Sequence, residues 1–66
     1  MIPENVIEVL VNIQQSGAIN MRDRLGVIEI ADVMDEGAAD WLRDNQRLYG
    51  EALNVMGARV SGGNEE

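Results

Sequence analysis

The sequence predicts an all-α fold: one helical domain over residues 1–60, a small three-helix unit with a long C-terminal helix, followed by a disordered acidic tail over residues 61–66. Three observations point there. Apolar residues recur at spacings of three and four along most of the chain, as one face of a helix requires. Helix-starting residues stand at Pro3 and Asp23. Glycines at positions 17 and 37 divide the periodic stretches where helices would stop.

Pro3 suits a first helical turn because its missing N–H would have no partner there, and Glu4 places negative charge where the helix dipole favours it. A helix from Pro3 to about Ser16 follows, with Val6, Ile7, Leu10, Val11 and Ile13 on one side and Glu4, Glu8, Asn12 and Gln15 on the other. Gly17 supplies the left-handed residue that ends it. The second helix is expected over Arg24 to Glu36, with Asp23 as N-cap and Asn20 as the competing cap. Val27, Ile30, Ala31 and Met34 form its inner stripe, widened by Leu25, Ile28 and Val33, while Glu29, Asp32 and Asp35 lie outside. Gly26 in its first turn weakens the helix by about 1 kcal/mol relative to alanine, unless it admits a close neighbour.

The third helix is expected from Ala38 to about Arg59, interrupted at Gly50. Its apolar residues cover more than one stripe, more than two short partners need, so it predicts a homo-oligomer, with Trp41, Leu48, Tyr49, Leu53 and Met56 at the seam. Size points the same way. A chain of 66 residues buries only about 60% of the surface its unfolded state exposes, and lone cores of that size are marginal. Without cysteine or histidine, neither a disulfide nor the usual structural zinc site can help.

Twelve acidic residues against five arginines give a formal charge of −7, which repels the phosphate backbone and makes nucleic acid an unlikely partner. No apolar run approaches the roughly 18 residues of a membrane span, and the start Met-Ile-Pro-Glu-Asn lacks a basic signal region, so the expected setting is the cytoplasm with no membrane partner.

Candidate chemistry is sparse. No histidine or cysteine is available as nucleophile or base, so the chain is expected not to be an enzyme and to use no cofactor. Asp32, Asp35, Glu36, Asp40 and Asp44 have a spacing that would bring oxygen ligands together, yet they match no calcium loop and read as a solvated acidic face with no metal. Asn20, Arg22, Asp23 and Arg24 form the densest polar group, a candidate ligand- or partner-binding corner. Exposed N–H groups and two arginines there would hold an anion if Asp23 pointed away; otherwise Asn20 and Asp23 are turn and cap residues. Val27 to Asn45 has the outline of a helix-turn-helix, but its second helix would offer Asp40 and Asp44 to phosphate.

Ile-Pro-Glu-Asn-Val at 2–6, Ser-Gly at 16–17, Asn-Met-x-Asp-Arg at 20–24, Gly-Val at 26–27, Ile-Ala at 30–31 and Tyr49 resemble the short proteins of unknown function found in phages and prophages of Gram-positive bacteria. The resemblance implies a small phage-borne accessory protein working inside a bacterial host cell. Together with the acidic charge it predicts a factor that binds and modulates a host or phage protein, most concretely by inhibiting a defence or nucleic-acid enzyme. The alternatives are an oligomeric sponge for a nucleotide or other anionic ligand at the Arg22 and Arg24 corner, and a helix-turn-helix-like DNA-binding regulator.

Overall fold

Pro3 sits just outside the first helix as its N-cap, extended at φ −61° and ψ 148°, in a computed structural model that describes residues 2–62. Its carbonyl accepts from the N–H groups of Val6 and Ile7 at 3.1 and 3.3 Å. Helix α1 (Glu4–Ser16) then runs to Gly17, whose φ of 67° lets its N–H turn back to the Gln14 carbonyl at 3.2 Å. α1 is the centre of the molecule. It buries Val6, Ile7, Val9, Leu10 and Ile13 and packs against all three other α-helices.

α2 (Arg24–Met34) and α3 (Glu36–Asp44) are joined by Asp35 alone. This corrects the expected stop at Gly37. Asp35 ends one helix with its N–H on the Ala31 carbonyl at 2.7 Å and starts the next with its carboxylate accepting from the Ala38 N–H at 3.2 Å. Its other carboxylate oxygen accepts from the Asn5 amide at 3.3 Å, fastening the elbow to α1. An aspartate cap contributes about 0.5–2 kcal/mol, enough to offset the roughly 1 kcal/mol of placing Gly37 in the first turn. α2 and α3 pack on each other, and Ala31, Ala38 and Ala39 on either side of the elbow are fully buried.

The expected long third helix is also corrected. It is broken into α3, a 3-10 turn over Gln46–Leu48, and α4 (Tyr49–Gly62). Asn45, at φ −121° and ψ 47°, makes the break: its backbone N–H and its side-chain amide both donate to the Trp41 carbonyl at 2.9 Å. A side chain that captures a helix carbonyl gives the backbone an alternative to the helical ladder. Length favours the break as well. α1 has 13 residues and spans about 20 Å, too short to cover one straight helix through both segments. Bending at Asn45 lays α3 on α2 and α1, and α4 on α1.

Leu42, Tyr49, Ala52 and Met56 therefore join a single core with the apolar faces of α1 and α2. Much of the apolar excess assigned to one long helix is absorbed within the chain, while Trp41, Leu48 and Leu53 are half-buried and Val55 is 40% exposed. Of the tail expected from Ser61, residues Ser61 and Gly62 belong to α4, and residues 63–66 lie outside the described residues.

Candidate functional site

The corner from Asn20 to Arg24 is organised by its own hydrogen bonds. The Asn20 side-chain oxygen accepts from the Arg22 N–H at 2.9 Å, and the Asn20 carbonyl accepts from the Asp23 N–H at 2.9 Å, closing a turn. Asp23 caps α2, accepting from the Gly26 N–H at 3.2 Å. Its carboxylate thus occupies the place an anionic ligand would take at this helix start. Arg24 reaches across to the Gln46 side-chain oxygen at 3.3 Å, and Arg22 is exposed.

Gly26 permits a close approach here. A Cβ at this position would run into Ile19 Cδ1 and lie 2.7 Å from Asp23 Oδ2, so the bare backbone admits both the apolar side chain and the cap. Asp23→Ala should lower stability by about 0.5–2 kcal/mol, whereas Arg22→Ala should leave it nearly unchanged; urea denaturation of each variant checks this ranking. Gly26→Ala should gain about 1 kcal/mol of helix propensity and lose about 1–3 kcal/mol to overpacking. A net fall in the thermal midpoint is the expected outcome, and a rise would show that Ile19 and Asp23 move aside freely.

The residues expected at an oligomer seam separate into two groups. Tyr49 and Met56 are buried in the core, and the Tyr49 hydroxyl donates to the Met21 carbonyl at 2.5 Å, tying α4 to the corner. Trp41, Leu48 and Leu53 are half-buried. Burial raises the Tyr49 phenol above its ordinary range, the nearby Asp23 charge adds to this, and Arg24 opposes it.

The carboxylates that sequence spacing brought together are dispersed. Asp35 caps α3, and Asp32 and Asp40 flank Arg43 at 3.8 and 2.9 Å. Among the described residues no group of three or more carboxylates has a metal-binding arrangement. Between α1 and α4 an open groove of about 270 Å³ is lined by Glu8, Val11, Asn12 and Arg59. The Arg59 guanidinium is already engaged in a fork with Glu4 at 2.7 and 3.0 Å. This hydrogen bond holds the Glu4 carboxyl below its ordinary range and raises Arg59. The small stabilisation from this exposed pair is present above the ordinary carboxyl range and is lost as pH falls through the lowered Glu4 value.

The feature that sequence reasoning missed is the outer face of α2. Val27, Ile28 and Ala31 point into the core. Leu25 is 67% exposed, Val33 88% and Met34 46%, although the sequence suggested they belonged to the inner stripe. Ile30, half-buried, lies beside Met34 at the margin of the core. A signal was present: α2 is apolar at most of its positions, more than one face can hide. Apolar surface is thus left exposed on the second helix, and on α4 Val55 is 40% exposed as well. No helix among the described residues is long and apolar enough to cross a membrane. No protein-family model, curated protein or solved structure matches the chain.

Proposed function

We propose that this chain is a non-catalytic protein-binding module that docks on its target through the outer face of α2. The observation that carries the reading is the exposure of Leu25 and Val33 on an ordered, capped helix of an acidic domain. Single exposed apolar residues are ordinary, but a set on one helix is the form taken by amphipathic helices that seat in a partner's groove. The charge of −7 suits a basic target surface of the kind that binds nucleic acid, since complementary potentials speed and orient association. With the resemblance to phage accessory proteins, this favours an inhibitor that covers such a surface on a host or phage protein, a defence or nucleic-acid enzyme among them.

Neither alternative gains comparable support. At the corner, Asp23 fills the anion position that a nucleotide sponge would need. In a helix-turn-helix the second helix would meet DNA, whereas here α3 opens with Glu36, shows Asp40 outward and turns Ala38, Ala39 and Leu42 inward. The test is capture from bacterial host lysate with the wild-type chain and with a Leu25→Ser, Val33→Ser double variant. Both residues are exposed, so the variant should keep the wild-type melting point within about 0.5 kcal/mol of stability per site. A partner retained by the wild type and lost by the folded variant is the expected result. Retention by both would move the binding site elsewhere on the molecule.

A further inference from the structure

Resting on the protein-binding reading of the α2 face, we infer that its partner is a different protein, with two apolar recesses about 12 Å apart and a basic side chain between them, and not a second copy of this chain. Leu25, Glu29 and Val33 follow one another at intervals of four along α2, so they form one line on the helix surface. The two apolar ends lie eight residues, or about 12 Å, apart along the axis, with the carboxylate midway. All three residues are exposed.

Glu29 has no ion-pair partner among the described residues. Its neighbours one turn away are Leu25 and Val33, and three residues on stands another acid, Asp32, which lies 3.8 Å from Arg43. The cations nearest the stripe in sequence are Arg22 and Arg24, at its N-terminal margin, and Arg24 is turned to Gln46. A partner that covers Leu25 and Val33 must cover Glu29 with them. Desolvating that carboxylate without a cation opposite is costly, so the covering surface has to present one there.

The same geometry disfavours self-pairing. A twofold contact centred on this stripe places the residue at its midpoint against its own copy. Here that sets Glu29 against Glu29, on two chains each carrying −7, and like charges opposed across an interface weaken it. An acid at the centre of an otherwise apolar line thus selects a heterologous, basic-centred partner.

The test uses two helical peptides as probes, one presenting leucines eight residues apart with lysine between them, the other with glutamate in place of lysine. Binding to the full chain is followed by calorimetry and by amide chemical shifts, and sedimentation reports self-association. The expected result is saturable binding of the lysine peptide alone, with shifts confined to α2, and at least a tenfold loss in Glu29→Gln as well as in the Leu25→Ser, Val33→Ser double variant. Equal binding by Glu29→Gln would overturn the basic-centre inference while leaving the α2 face as a docking site. Equal binding by the double variant would overturn the face itself. Binding of both peptides alike, or of neither, counts against the inference. A wild-type dimer dissolved by the double variant would identify a second copy as the occupant and refute it.

Discussion

Leu42→Ala is expected to be among the most damaging single substitutions in the chain, lowering stability by about 2–5 kcal/mol through lost burial and the cavity left behind. Leu42 is fully buried and anchors α3, which has nine residues. Isolated helices shorter than about 12–15 residues are marginal in water, so α3 persists because its apolar side is packed. A domain of 66 residues has a total stability of about 3–10 kcal/mol at the usual value per residue. The substitution should therefore remove a large part of it, seen as a sharply reduced urea midpoint and weaker helical circular dichroism. Val33→Ala, on the exposed face of α2, should stay within about 0.5 kcal/mol of wild type. A Leu42→Ala loss below about 1 kcal/mol would mean that α3 is not seated on the core.

The second large effect belongs to Tyr49. Removing a buried aromatic ring to alanine costs about 3–5 kcal/mol, and Tyr49 is 8% exposed. Tyr49→Phe keeps the ring and removes only the hydrogen bond to the Met21 carbonyl, so its cost should be about 0.5–1.5 kcal/mol. The two variants separate packing from polar contact. They also differ in pH dependence. Because burial raises the phenol above its ordinary value of 10.0, the native state favours the neutral form. The associated stability is complete below the unfolded value and is lost as pH rises through the higher folded value. Wild type should therefore decline in strongly alkaline solution more steeply than Tyr49→Phe. For both variants the loss should be independent of protein concentration, since the ring packs within its own chain; a concentration-dependent loss would restore it to an oligomer seam.

Much of the helical content was legible because its signals are local. Gly17 and Asp23 act at their own positions through a left-handed backbone and a cap and stand where the residue type implies, whereas Pro3, expected inside the first turn, is the extended N-cap of a helix that begins at Glu4. Gly26 was read correctly as either a weakness or an opening for a neighbour, and Ile19 is that neighbour. The failures came from competition between elements. Gly37 looked like a stop because glycine commonly is one, yet Asp35 two residues earlier offered the stronger cap. Arg43 to Arg47 is a run of five polar residues in which the apolar period lapses, and Asn45 is a residue type that competes with the helical ladder, so a local signal of the bend was present, and the length of α1 adds to it. The exposed face of α2 was hidden for the same reason: which apolar residues are covered depends on where the neighbours fall, and that followed from the unforeseen bend.

The single-residue elbow at Asp35 also bears on the order in which the chain assembles. α2 and α3 are contiguous in sequence, so packing one on the other closes almost no loop and costs little chain entropy. Docking α4 on α1, by contrast, joins segments as distant as Glu4 and Arg59 and must restrict most of the polypeptide. The elbow should accordingly form early and lie within the folding transition state, with the α1–α4 contact closing late. Conservative changes at Ala31 or Ala38 should then mainly slow refolding, and changes at Met56 should mainly accelerate unfolding, a division that stopped-flow measurements across a urea series resolve directly.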